Sequence, residues 1–129
     1  ARIPLLVTGG SQQSPDWVAE NGDGWMTYPR DAASQGRVIS AYRHRIAAAG
    51  GTDKPVMQSL YVDLAAEADA PPTGIHLGFR SGATFLRSYL CEIEALGVNH
   101  VALNLRFNRA GIETTMTRLA EEILPEFQA

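Results

Sequence analysis

The chain has 129 residues, of which 45% are hydrophobic and 19% are charged, and its formal net charge is −3. This length suffices for one domain with a modest core, and we expect residues 1–129 to form a single domain. The acidic balance argues against nucleic acid or an anionic membrane as a partner, and no apolar run approaches the length of a membrane span. A single cysteine and the absence of a signal-peptide pattern favour a cytoplasmic protein.

The first segment predicts a strand, a glycine turn and the start of a helix. The apolar run Ile3–Val7 is short enough for a buried strand, and it is followed by Gly9 and Gly10, where the backbone can take positive φ angles. Ser14 is a good N-cap, and Pro15 is a good first helical residue.

Two interpretations of this turn remain open. Free N–H groups and the dipole at a helix N-terminus favour an anion, and Ser11 and Ser14 add two hydroxyls, so the segment can form a phosphate site. The alternative is a capped helix after a tight turn. Capping signals are far more common than phosphate sites, and Gly-Gly-Ser-x-x-Ser is not a specific motif.

Three more strand–helix pairs follow along the chain. Trp25–Tyr28 predicts a short strand that Pro29 ends, Val56–Asp63 a third strand and Val98–Leu105 a fourth. Residues 65–74 have no periodicity and are predicted to form a loop. Apolar residues at helical spacing predict helices after the second, third and fourth strands, at Val38, Ile39, Tyr42 and Ile46, at Leu86, Tyr89, Leu90, Ile93 and Leu96, and at Ile112, Met116, Leu119, Ile123 and Leu124, with Pro125 ending the last one.

This alternation predicts an α/β fold with a parallel sheet covered by helices. Four βα units are half of a (β/α)8 barrel, which needs about 250 residues in full. A half-barrel leaves two open sheet edges, so either the other half belongs to the same gene product or two copies close on each other. We therefore expect a homo-oligomer or, since Ala1 directly precedes a core strand, a piece of a longer protein.

In a barrel the carboxyl ends of all strands meet at the face where chemistry occurs. Among the residues at these ends, Asp63 is a candidate general base without a partner carboxylate, and Arg106 can reach a phosphate or form a surface ion pair. Arg80 is expected to be a solvated loop residue, and the alternative is a contact with a substrate or a partner chain. The histidines fit no metal-ligand spacing, so no metal site is predicted. This topology collects Gly9, Gly10, Ser11, Ser14, Tyr28, Pro29, Asp63, Asn104 and Arg106 at one face.

Several stretches resemble a known family. Thr8–Trp17, Thr-Gly-Gly-Ser-Gln-Gln-Ser-Pro-Asp-Trp, followed by Asp23–Pro29, Asp-Gly-Trp-Met-Thr-Tyr-Pro, resembles the second half of the bacterial-luciferase-like flavin monooxygenases. Gly97–Arg106 and Leu119–Pro125 are similar to the last strand and helix of one subgroup of that family. The resemblance covers nearly the whole chain and implies the C-terminal half of a TIM barrel.

The resemblance also implies a cofactor and a reaction. Members of the family use reduced FMN, or F420 in some branches, and many oxidise a small organic substrate with O2. The resemblance assigns cofactor binding to Gly9, Gly10, Ser11, Gln12, Ser14, Tyr28 and Pro29. Gly10, Ser11 and Ser14 would hold the flavin phosphate, helped by backbone N–H groups near Gln12 and Gln13, and Tyr28 and Pro29 would lie near the flavin ring. No catalytic residue is assigned, because the family's first four βα units have no counterpart here. The alternatives are a non-catalytic flavin-binding or assembly module and an F420-dependent oxidoreductase.

Overall fold

The computed structural model describes residues 1–128, in which strands and helices alternate along the chain. Within this range no helix has both the length and the apolar character that crossing a bilayer requires. The elements in chain order are β1 (Leu6–Thr8), α1 (Pro15–Asn21), β2 (Gly24–Thr27), α2 (Ala32–Ala48), β3 (Val56–Leu64), β4 (Thr73–Ile75), β5 (Gly78–Ser81), α3 (Ala83–Ala95), β6 (His100–Asn104), α4 (Ile112–Glu122) and α5 (Leu124–Phe127).

The strand pairing is parallel, as the alternation predicts. β1 pairs with β2 and β2 pairs with β3, where Trp25 lies opposite Val56. β6 also pairs with β3. Asn99, just before β6, accepts a hydrogen bond from the Val56 amide at the start of β3, and Asn108, after β6, accepts one from the Leu64 amide at its end. The residue before β6 therefore lies beside the start of β3, and a residue after β6 lies beside the end of β3. The two strands run parallel.

The residues of the structure fall into two compact units. The first unit contains Ala1–Ser59 and Ile93–Ala102, and the second contains Leu60–Glu92 and the chain from Leu103 onward. In the first unit, parallel register brings Val7, Trp25 and Val56 to one face of the strands. The buried apolar residues of this unit are Val7, Val18, Ala19, Ile39, Tyr42, Ile46, Val56, Ile93 and Val98.

The first strand is shorter and more exposed than the sequence predicts. Ile3–Val7 was expected to be a buried strand, but β1 begins at Leu6, and only Val7 of this run is buried. Ile3 is 89% exposed and Leu6 is 39% exposed. Successive side chains of a strand point to opposite faces, and the face with Val7 packs against Gly22 at the end of α1. Leu6, on the other face, lies open.

The second unit packs the last part of β3 with α3 and α4. Pro125, expected to end the last helix, instead lies in the first turn of α5, where the missing N–H of proline removes no helical hydrogen bond. Ile123 separates the two helices, as the C-cap of α4 and the N-cap of α5. The buried apolar residues of this unit are Leu60, Val62, Leu64, Ala65, Ala83, Leu86, Leu90, Leu119 and Ile123.

A hairpin that the sequence did not predict lies between β3 and α3. β4 pairs antiparallel with β5, and β5 pairs parallel with the end of β3, where Gly78 lies opposite Tyr61. A Cβ on Gly78 would lie 1.9 Å from the Tyr61 carbonyl oxygen, and one on Gly82 would lie 2.3 Å from the Ala68 carbonyl oxygen. Glycine is therefore required at both ends of β5, because the backbones approach so closely.

We expect Gly78→Ala to lower the free energy of unfolding by about 3 kcal/mol, since the new methyl group meets backbone that cannot move aside cheaply. Gly74→Ala is the matched control in the same hairpin, because a Cβ there meets nothing within 4 Å. Urea denaturation of the two variants measures the difference. Equal stability of the two variants would show that β5 does not lie this close to β3.

Candidate functional site

The turn after β1 has an unusual backbone conformation. Gly9, Ser11 and Gln12 have φ angles of +55°, +46° and +58°. This left-handed region is open to glycine, but it costs a serine or a glutamine about 1 kcal/mol or more each. Such strain persists only where surrounding contacts hold it, and it clusters at functional sites. The turn predicted from Gly9 and Gly10 is therefore present, and its strain extends beyond the glycines.

Gly9 is anchored to β2 through both its backbone N–H group and its carbonyl group. Its N–H donates to the Met26 carbonyl at 2.7 Å, and its carbonyl accepts a hydrogen bond from Trp25 Nε1 at 2.8 Å. The Tyr28 ring lies against the same residue, since a Cβ on Gly9 would be 3.0 Å from Tyr28 Cε2. The structure therefore brings Tyr28, a predicted site residue, to the turn.

The two serine hydroxyls of the turn have different partners. Ser11 Oγ donates its proton to the Thr8 carbonyl at 2.7 Å, so this proton is not available to a ligand. Ser14 Oγ accepts a hydrogen bond from the Trp17 amide at 3.1 Å and is the N-cap of α1. The prediction of Ser14 as N-cap is thus confirmed, and it fits either interpretation of the turn. Because Ser14 Oγ is an acceptor in this contact, its own proton can still be donated to another group.

Three consecutive amides of the turn are available to a ligand. The N–H groups of Gly10, Ser11 and Gln12 donate no hydrogen bond to any residue in the range 1–128. The nearby Asp16 carboxylate would repel an anion, but Arg45 Nε lies 3.1 Å from Asp16 Oδ1 and offsets that charge. The free amides are therefore the principal donors that this turn can offer to an anion.

A cavity of about 220 Å³ lies beside the turn in the first unit. It is smaller than the roughly 300–1,000 Å³ of a typical small-molecule pocket, so it does not accommodate a large ring system. Trp25 stacks on Tyr42 within it, with ring centroids 5.0 Å apart, and burial raises the pKa of the Tyr42 hydroxyl. The cavity is lined by Gly9, Gly10, Gln13, Pro15, Val18, Trp25, Val38, Ala41, Tyr42 and Arg45.

The segment after β2 is fixed by a buried polar cluster. The Tyr28 carbonyl accepts hydrogen bonds from Arg30 Nη1 at 3.0 Å and Gln35 Nε2 at 3.2 Å. Gln35 also donates to Gln58 Oε1 at 2.7 Å, and both glutamines are fully buried. Pro29 follows Tyr28 and is half-buried. Sequence analysis did not single out these glutamines, although each occupies an otherwise apolar stripe, which is the signal that could have identified them.

A second group of candidate residues lies in the second unit around Asp63. Its Oδ1 accepts a hydrogen bond from the Arg109 amide at 3.1 Å, and its Oδ2 lies 3.1 Å from Arg109 Nε and 3.3 Å from Arg80 Nε. Asp63, a candidate general base in the sequence, is therefore held between two guanidinium groups, and the role of a general base stays a prediction. The expectation of a solvated loop Arg80 is wrong, because Arg80 lies in β5 and pairs with a buried carboxylate.

Arg106, predicted to reach a phosphate or to form a surface ion pair, lies beside an aromatic ring. Arg106 is exposed, and its guanidinium lies 5.6 Å from the centroid of the Phe107 ring rather than in an ion pair with an acid of the described chain. The Asn104 side chain, also predicted to lie at this face, accepts a hydrogen bond from the Arg106 amide at 2.9 Å. Among residues 1–128 no group of three or more His, Cys, Asp or Glu side chains could hold a metal ion.

Comparisons with known proteins find a likeness in structure but not in sequence. No family model matches the sequence, and no curated protein matches it. The structure of an F420-dependent secondary alcohol dehydrogenase, in complex with an F420-acetone adduct, is similar to this chain, with a TM-score of 0.75 and 12% sequence identity. The likeness covers 100% of this chain and 50% of that one, so this chain spans half the length of the dehydrogenase.

At this identity the likeness shows the fold. The predicted fold class, an α/β chain of four βα units that make up half of a (β/α)8 barrel, is confirmed. The β4–β5 hairpin is inserted between the third strand and the third helix of these units.

We expect Trp25→Phe to lower the free energy of unfolding by about 1 kcal/mol, because the phenyl ring can still stack on Tyr42 but leaves the Gly9 carbonyl without its donor. Trp17→Phe is the control, since Trp17 is exposed and its indole N–H donates to no residue within 1–128. Thermal unfolding followed by circular dichroism measures both. A Trp25→Phe variant as stable as the control would contradict the anchoring role of the indole.

Proposed function

We propose that the complete protein is an oxidoreductase with a flavin-type cofactor, and that residues 9–14 of this chain bind the cofactor phosphate. The observation that carries the proposal is the run of three free amides, Gly10 to Gln12, on a strained turn that β2 anchors. The resemblance to luciferase-like enzymes and the fold likeness to an F420-dependent dehydrogenase support a cofactor of this type.

The donors of the turn fit a phosphate group. The amides of Gly10, Ser11 and Gln12 can each donate to a phosphate oxygen, and the Ser14 hydroxyl proton can add a fourth hydrogen bond. Arg45 offsets the charge of Asp16 nearby. Tyr28, which packs on Gly9 and is half exposed, offers an apolar ring face beside the turn, and Pro29 follows it.

The division of labour in the complete protein follows from these contacts. A flavin-type cofactor, when bound, would supply the redox chemistry of the reaction, because it can carry a pair of electrons. The turn residues bind and orient it through its phosphate, so that binding energy far from the reacting atoms fixes their position. The residues that handle substrate and O2 lie, on this proposal, in a preceding half-barrel.

The phosphate site does not distinguish FMN from F420, because both cofactors carry a phosphate. The sequence resemblance favours an FMN-dependent monooxygenase that acts on a small organic substrate with O2, and the fold likeness favours F420 with hydride transfer. Titration of the complete protein with each cofactor separates them. Oxygen uptake with reduced FMN would support the monooxygenase, and tight binding of F420 alone would support the dehydrogenase. Cofactor binding without turnover of any substrate would favour a flavin-binding module.

We expect Gly9→Ala in the complete protein to weaken binding of the preferred cofactor at least about tenfold, or 1.4 kcal/mol. The added methyl group would lie 3.0 Å from the Tyr28 ring, and an alanine is strained at the positive φ of this position. The N–H groups that follow would therefore be displaced. Gly50→Ala is the matched control, since Gly50 has a φ of +74° but no atom within 4 Å of a Cβ. Flavin fluorescence titration measures both, and an unchanged dissociation constant in Gly9→Ala would refute the phosphate assignment.

A further inference from the structure

The ion cluster of the second unit carries more positive charge than its buried carboxylate needs. One carboxylate, Asp63, faces two guanidinium groups, Arg80 and Arg109, so the cluster has a net charge of +1. The side chain of Asp63 is 3% exposed, whereas those of Arg80 and Arg109 are 35% and 73% exposed. The negative charge is therefore enclosed, and the surplus positive charge is open to a ligand.

The two guanidinium groups also keep unused donors. A guanidinium has five N–H groups, and the contacts of Arg80 and Arg109 with Asp63 involve only their Nε atoms. Their Nη groups donate to no acceptor in the part of the chain that the structure describes. Arg80 Nε is itself a buried donor without a well-aligned hydrogen bond, since its 3.3 Å contact with Asp63 is an ion pair only. Such a fork is suited to an oxyanion with two or more oxygens.

An aromatic surface adjoins this cluster. Tyr61 precedes Asp63 by two residues in β3, so both side chains point to the same face of the strand. The Tyr61 ring lies 4.9 Å from the Phe107 ring and 6.0 Å from the His76 ring, centroid to centroid. Phe107 is 41% exposed and precedes Arg109 by two residues. The Arg106 guanidinium lies over the Phe107 ring, 5.6 Å from its centroid, so a flat apolar group can pack only against the part of these rings that Arg106 leaves uncovered. An anion attached to that group can then reach the guanidinium groups of Arg80 and Arg109.

We propose that Arg80 and Arg109 bind the oxyanion of a small aromatic acid whose ring packs on Tyr61 and Phe107. This site shares no residue with the turn at residues 9–14, so the inference goes beyond the proposed function. The ligand class is an aromatic ring that carries a phosphate or carboxylate group, and Asp63 orients the two guanidinium groups without touching the ligand.

Phenyl phosphate is the probe, and isothermal titration calorimetry with the complete protein is the measurement. Phenyl phosphate should bind at least about tenfold more tightly than inorganic phosphate, because only it fills the aromatic surface, and more tightly than phenol, which lacks the anion. Protein saturated with FMN or F420, whichever it binds, should retain phenyl phosphate binding. Failure of both cofactors to bind would refute the proposed function and leave this site standing.

Arg109→Gln should weaken phenyl phosphate binding about tenfold or more, since it removes a charged donor. This variant is expected to fold, because Asp63 keeps the Arg109 backbone amide and Arg80 as partners. Arg80→Lys, which keeps the charge but loses the fork, should weaken it by a smaller factor. The control is Arg37→Gln, which removes an exposed arginine of α2 that bonds Ser34.

Three outcomes would overturn the proposal. These are phenyl phosphate that binds no more tightly than inorganic phosphate, an Arg109→Gln variant that binds phenyl phosphate as tightly as the control does, and saturation with cofactor that abolishes phenyl phosphate binding. The last result would mean that the anion held here belongs to the cofactor. Circular dichroism of each variant identifies a loss of fold, and Arg109→Gln then decides the question if Arg80→Lys is misfolded.

Discussion

The candidate turn depends on two hydrogen bonds that hold the Gly9 peptide to β2. The Met26 carbonyl accepts from the Gly9 amide, and Trp25 Nε1 donates to the Gly9 carbonyl. The parallel register of β1 and β2, which sets Thr8 opposite Met26, brings these groups within reach. Because the N–H and carbonyl groups of Gly9 are both held, the residues that follow keep their positive φ angles. The N–H groups of Gly10, Ser11 and Gln12 then have no acceptor within the turn. The strain is thus compensated by sheet pairing, and the free donors are its consequence.

In the second unit the corresponding constraint is the buried carboxylate of Asp63. An ionised group removed from water is costly unless charged partners and hydrogen bonds compensate it, and Arg80 and Arg109 supply these. Arg80 reaches Asp63 because β5 lies close beside β3, which requires glycine at position 78. The stretch Gly78–Gly82, which matched no predicted element, therefore has a physical explanation as a strand that delivers an arginine to a buried acid.

Local signals predicted the helices well. Ser14 caps α1 through a side-chain hydrogen bond, and Pro15 is the first helical residue, as the sequence predicts. Capping depends on residues within one turn of the helix end, so it can be predicted from the sequence. Strand limits were predicted less well. Ile3 lies outside β1, and whether Leu6 is buried depends on what covers its face of the sheet, about which the residues of β1 carry no information.

The sequence by itself determined the alternation of the four parallel strands with helices, the Ser14 helix cap and the glycine turn, because each depends on neighbours a few residues apart. It also indicated which segment of the chain could accept an anion. Only the tertiary structure decided which donors of that turn are free, that Trp25 anchors it, and that Asp63 is paired with Arg80 and Arg109. These contacts join residues 16, 17 and 46 positions apart, and a charged pair has no periodicity through which distant partners could be recognised in one sequence.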